Sequence, residues 1–215
     1  MKKYELTQTN EFTYNIKINK NAKPIYACIK RFVKNSFFTE ETNSMIFSAE
    51  DVKPLPTYLI NKKLSHFKCI KIIDDLTKQM DYLKNMNYGV YGFDIHDIIV
   101  INENMFLICS GDYLQTLTVG SEIIFYEPIK FPYFGSPDII TLTSLPSIID
   151  YTCIYYSLGA LIVYCLLNEY LLVGNEIKSE EEIEKIIKPL QDTKIYWFLK
   201  RCLKTNSKKR LLLLI

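Results

Sequence analysis

Glycine is scarce in this 215-residue chain: there are seven, and none precedes Gly89. A glycine-rich loop, which lets backbone amides close around phosphates, is therefore excluded from the first part of the chain. Arginine is scarcer still, with only Arg31, Arg201 and Arg210 among 26 basic residues. The formal charge is +2 and the lysines are scattered, so the concentrated basic face that displaces counterions from nucleic acid is not expected. Histidine is limited to His66 and His96, and the six cysteines (Cys28, Cys69, Cys109, Cys153, Cys165, Cys202) include no C-x-x-C pair. A zinc or redox centre is not expected; these cysteines read as buried thiols of a reducing compartment. No apolar run reaches the roughly 20 residues that span a bilayer. The longest, "CIYYSLGALIVYCLL" (Cys153–Leu167), reads as a helix buried on every face, with Gly159 near its centre. "MKKYELTQTNEF" has no signal-peptide core, so no membrane association and a cytoplasmic location are expected.

Hydrophobic residues make up 48% of the chain, with 16 Tyr and 12 Phe, so it has the material for a sizeable core. "EFTYNIKI" and "PIYACIKRF" alternate roughly and predict two strands, separated by the turn "NKNAK". Pro54 and Pro56 predict an extended connector and a short helix. Leu64, Phe67, Ile70, Ile73, Leu76, Met80, Leu83 and Met86 recur at steps of three and four, which predicts a helix with lysine and aspartate on its outer face. Gly89 suits a left-handed cap at its end. "DIIVI" and "MFLIC" predict a hairpin around "NEN". Residues 112–147 read as irregular, and "SEEEIEKIIKPL" and "TKIYWFLKRCL" as amphipathic segments.

Four of these stretches carry a resemblance. "YSLGALIVYCLL" resembles the central helix motif "WSLGVILYELL" of protein kinases. "FGSPDII" is similar to the "APE" motif, and "WFLKRCLKTNSKKR" to the closing "LIxxCLxxDPxxR" segment. "LPTYLINKKLSHFKCIKIIDDLTKQMDYLKNMNYGV" is similar to the helix pair before the catalytic loop. The chain thus resembles the C-terminal lobe of a protein kinase over most of its length, in the style of the reduced kinase-like proteins of large DNA viruses. The expected fold is α+β and mainly helical, with a rudimentary β-containing lobe at 1–47 and a kinase-like helical lobe at 48–215. If the chain is viral, its expected location is the host cytoplasm.

The resemblance also assigns residues. Asp138 and Arg210 take the places of the acid and arginine that pair in the family, a pairing suited to a bidentate guanidinium. Asp97 falls on the metal-binding asparagine. The catalytic base falls on Gly92 without a gap, or on Asp94 with a two-residue deletion. The magnesium aspartate of "DFG" becomes Cys109, a poor replacement because magnesium takes hard oxygen ligands; Asp112 lies three residues on. "YACIK" looks like "VAIK" and offers Lys30 to phosphates. Ile154 stands where the family has an aspartate bracing the catalytic loop.

Two functions follow. In the first, a catalytically degenerate kinase-like protein binds another protein and needs no cofactor; its surface would be the aromatics Tyr113, Phe125, Tyr126, Phe131, Tyr133 and Phe134. In the second, a divergent serine/threonine kinase uses magnesium-ATP, with Asp94 as base, Asp97 on metal and Lys30 on phosphate. Beside these two functions, the run "LLLLI" docking on another chain would make the protein a subunit of something larger.

Overall fold

The computed structural model describes residues 2–60, 62–174 and 176–213. Leu214 and Ile215 of the "LLLLI" run lie outside the described residues. The fold is α+β, with seven α-helices and several small sheets among the described residues. The chain opens with β1 (Tyr4–Asn10), β2 (Thr13–Ile18), α1 (Ala22–Phe32), β3 (Phe37–Thr39), β4 (Ser44–Ser48), β5 (Val52–Pro54) and α2 (Leu55–Tyr58). Next come α3 (His66–Asn85), β6 (Tyr88–Val90), β7 (Ile98–Ile101), β8 (Met105–Ile108), β9 (Leu114–Thr116) and β10 (Glu122–Phe125). It closes with α4 (Pro137–Ile140), β11 (Ser147–Asp150), α5 (Cys153–Leu167), β12 (Leu172–Val173), β13 (Glu176–Ile177), α6 (Glu180–Ile187) and α7 (Lys194–Cys202).

Two compact units result, and both are discontinuous. The first comprises Met1–Lys62, Lys71–Tyr88 and Ile95–Leu114; the second, Lys63–Ile70, Gly89–Asp94 and Gln115–Ile215. This division differs from the boundary read at residues 47 and 48. The β7–β8 hairpin and most of α3 join the amino-terminal strands instead.

In the first unit, an antiparallel sheet has the order β1-β2-β4-β3. Strand β2 alternates as a one-faced strand should: Tyr14, Ile16 and Ile18 are buried while Lys17 is exposed. The segment "PIYACIKRF", expected as a strand, is helix α1. Ile25, Cys28 and Ile29 form a buried stripe at helical spacing, and Pro24, with no N–H to lose, sits in the first turn. The neighbouring place beside β2 is taken by β4, with Ile16 opposite Met45.

A second sheet in this unit has the order β5-β7-β8, and the β7–β8 hairpin turns through Asn102 and Glu103 at φ 49° and 54°. Strand β8 is at its edge, and side chains of α3 complete it. Asp75 Oδ2 accepts from Phe106 N at 3.0 Å, Gln79 Oε1 from Ile108 N at 2.8 Å, and Gln79 Nε2 donates to Phe106 O at 2.7 Å. The aspartates of α3 were expected on its outer face, but Asp75 lies buried with Gln79 because the edge needs donors and acceptors.

The second unit is built on α5. Cys153, Ile154, Tyr156–Val163, Cys165 and Leu166 are all buried, so the apolar side chains have no solvent face. A Cβ on Gly159 would lie 2.9 Å from Leu203 Cδ2 and 3.2 Å from Cys202 Cβ; only glycine allows this approach. The span read as irregular contains β9, β10 and α4, and β10 pairs antiparallel with β11 in register from Glu122–Asp150 to Phe125–Ser147. Gly89 is no left-handed cap. Asn87 takes that conformation at φ 63°, while a Cβ on Gly89 would press on the Leu117 side chain. Helix α6 starts with a complete capping box formed by Ser179 and Glu182.

Candidate functional site

Asp97 ends a single 3-10 turn, Ile95–Asp97, immediately before β7, in the first unit. Its carboxylate is buried and answered from the far end of the sequence: Lys3 Nζ donates to Asp97 Oδ1 at 2.7 Å. The two side chains are 10% and 3% exposed, so this is an interior ion pair and not a solvated one. The Lys3 ammonium also stands 4.7 Å from the centre of the Tyr113 ring.

Backbone and sulfur groups close the rest. Cys109 N donates to Asp97 O at 2.8 Å and Cys109 Sγ donates to the same oxygen at 3.2 Å. Asn19 holds the entering segment, donating from its backbone N to Lys3 O at 3.2 Å and from Nδ2 to Lys2 O at 2.7 Å. Asn21 Nδ2 donates to Gly111 O and Leu114 O at 2.9 and 3.0 Å. Gly111 is required there because a Cβ would collide with the Lys20 carbonyl oxygen. Burial pushes the Cys109 thiol well above its ordinary range, and the Asp97 charge adds to this. Burial likewise raises the Tyr4 phenol, with further contributions from Cys109 and Asp97. The site is a buried carboxylate with a lysine in place.

The other sequence candidates fall on separate elements. Lys30 is exposed on the last turn of α1, not on a strand. The lysine that does precede a helix from a strand is Lys17, in "YNIK" on β2, and it is exposed. The alternation that predicted the strand places Lys17 on its exposed face. Helix α1 contains no carboxylate to pair with either lysine. Asp94 is part-buried and belongs to the second unit, while Lys30 and Asp97 belong to the first. His96 is exposed on the 3-10 turn, and Asp112 donates its backbone N–H to Ser110 Oγ at 3.2 Å. A groove of about 370 Å³ in the first unit is lined by Phe32, Lys34, Ser48, Lys71 and Asn102 among others; neither Lys30 nor Asp97 lines it. Among the described residues, no three histidine, cysteine, aspartate or glutamate side chains are grouped to hold a metal ion.

In the second unit the structure brings Asp138 and Arg210 together. Arg210 NH1 donates to Asp138 Oδ2, Nε to Lys204 O at 2.7 Å and NH2 to Thr205 O at 2.7 Å. The guanidinium is fully enclosed and lies 5.4 Å from the centre of the Tyr156 ring. Ile154 is buried and apolar, and on the same helix Ser157 Oγ accepts from Phe93 N at 3.0 Å and donates to Phe134 O.

The six cysteines are all buried and unpaired with one another. Burial lifts the thiols of Cys28 and Cys69 from 9.0 to about 12, and it raises those of the other four as well. A thiol raised on folding favours the folded chain below its unfolded value, and that contribution is lost as pH rises through the folded value. All six are therefore expected to resist Ellman's reagent at about pH 8 and to react together in denaturant. Fast modification of one thiol in the folded chain would contradict this.

No protein-family model matches this chain, and no curated protein matches it.

Proposed function

We propose that this chain has a kinase-like fold that does not transfer phosphate and acts by binding another protein. The observation that carries the reading is the Lys3–Asp97 pair. The carboxylate assigned to metal by the resemblance already holds a tethered cation, and the other assigned position is a protonated thiol at Cys109. These groups do not fit magnesium-ATP, because magnesium demands oxygen ligands in near-octahedral geometry. The kinase likeness draws support from the sheet order with a helix between β2 and β3, from the mostly buried α5 and from the Asp138–Arg210 pair. The glycine-free turn between β1 and β2 supports the loss of phosphate binding.

For a partner-binding surface, the aromatics of residues 112–147 divide evenly. Tyr113, Phe125 and Phe134 are buried, whereas Tyr126, Phe131 and Tyr133 are 74%, 46% and 59% exposed. Phe131 joins Pro128, Leu142 and Leu145 along a groove of about 310 Å³. Three exposed rings exceed what a solvated loop needs.

The test is a thermal titration with magnesium-ATP, run beside Asp97→Ala. A ligand that binds the folded state raises its melting temperature in proportion to the logarithm of its concentration. No rise is expected at millimolar nucleotide. A rise that Asp97→Ala abolishes would favour the active kinase instead.

A further inference from the structure

Residues 193–215 contain seven basic side chains and no acidic one. The lysines look scattered along the sequence, but here α7 collects several on one face. Lys194, Trp197, Lys200 and Arg201 recur at helical spacing, while Ile195, Tyr196, Phe198, Leu199 and Cys202 are buried beneath them. Trp197 is 52% exposed, and the Lys200 ammonium lies 5.9 Å from the centre of its ring.

The following segment turns back beside this face. Arg201 NH1 donates to Leu213 O and Leu211 N donates to Arg201 O, both at 3.3 Å. Leu211 and Leu213 remain 57% and 48% exposed. Lys200 and Lys204 are neutralised by Glu184 and Glu180 at 3.3 and 3.2 Å, which leaves Lys194 and Arg201 to carry the charge of the stripe.

An exposed indole and two exposed leucines beside unneutralised cations ask for one kind of surface. Anionic headgroups answer the cations, and the acyl boundary just beneath them takes the indole and the leucines. We propose that this face of the second unit seats the chain on an anionic membrane surface. Contact lies in the plane of the interface, because no helix among the described residues is long and apolar enough to cross a membrane. This inference is independent of the kinase-like reading.

Trp197 is the only tryptophan in the chain, so its emission reports on this patch alone. Vesicles of phosphatidylcholine with about one-third phosphatidylserine are expected to shift its emission to the blue and carry the chain upward in a flotation gradient. Pure phosphatidylcholine vesicles should do neither, and added salt should release the bound chain. Lys194→Glu and Arg201→Glu should each weaken binding by roughly fivefold or more. Leu211→Ser with Leu213→Ser should remove the blue shift; should that variant melt early, Trp197→Ala scored by flotation alone must show the weakened binding. Three results would overturn the proposal: no flotation with the anionic vesicles at low salt, tighter binding to a random-sequence oligonucleotide than to vesicles, or a blue shift that grows with protein concentration in the absence of lipid. The last would assign the patch to a second copy of the chain.

Discussion

Arg210→Ala is expected to cost about 3–5 kcal/mol of stability, the usual price of removing one partner from a buried ion pair. The loss has identifiable parts. Asp138, 18% exposed, keeps a carboxylate without its cation, and the carbonyl oxygens of Lys204 and Thr205 lose their guanidinium donors. For a chain of this length, the melting temperature should fall by roughly 6–20 °C. Arg210→Lys should recover only part of the loss, because an ammonium cannot serve one carboxylate and two carbonyls arranged for a planar fork. Asp138→Asn should cost less than Arg210→Ala, since it removes one acceptor and leaves the two carbonyl contacts in place. Urea unfolding of the three variants checks this order; equal losses for Arg210→Ala and Asp138→Asn would mean the carbonyl contacts contribute nothing.

Lys3→Met should be comparably severe although it changes the third residue of the chain. Methionine keeps most of the stem volume and removes only the charge, leaving Asp97 buried at 3% side-chain exposure without its ammonium. About 3–5 kcal/mol is again expected. Lys3→Arg should be tolerated poorly, because the longer guanidinium must fit between Asp97 and the Tyr113 ring. Lys2→Met, next door and exposed, should lie within about 0.5 kcal/mol of the parent chain. If Lys3→Met also melts like the parent, the interior pair has no structural weight.

Much of the architecture was readable where periodicity is local and unambiguous. The stripe of α3 from Ile73 to Leu83, the largely apolar α5 and the β7–β8 hairpin follow from spacing alone, but Phe67, counted in the same stripe, is 70% exposed on the first turn of α3. Segment 22–32 was not readable in this way. Ile25, Ala27 and Ile29 alternate as a strand would, while Ile25, Cys28, Ile29 and Phe32 fit a helix equally well. What decides between them is β4, which arrives from residues 44–48 to pair with β2 and leaves α1 to cover the sheet. Asp75 read as part of the outer face of α3 because nothing in its spacing reveals that the edge of β8 lies beside it and Gln79.

The site was legible in the same uneven way. The family likeness singled out Asp138 and Arg210, and the two meet across 72 residues of sequence. It also singled out Asp97, but gave no hint of Lys3, whose partner lies 94 residues away and whose local sequence, "MKKYEL", looks like an ordinary solvated start. Lys30 followed a motif onto the wrong secondary structure. Ser157 sat inside a recognised motif, yet its double hydrogen bond depends on Phe93 and Phe134 converging, which spacing does not encode.

The central claim is that the Lys3 ammonium stands where the kinase likeness would place a metal, and the free energy coupling Lys3 to Asp97 measures it most directly. Urea unfolding of the parent chain, Lys3→Met, Asp97→Asn and the double variant gives that coupling. With the carboxylate gone, the lysine loses its purpose, so the double variant should recover most of the Lys3→Met loss, with a coupling of about 2–3 kcal/mol. Losses that simply add, to within about 0.5 kcal/mol, would show that the pair does not act as a unit and that Asp97 remains open to another cation.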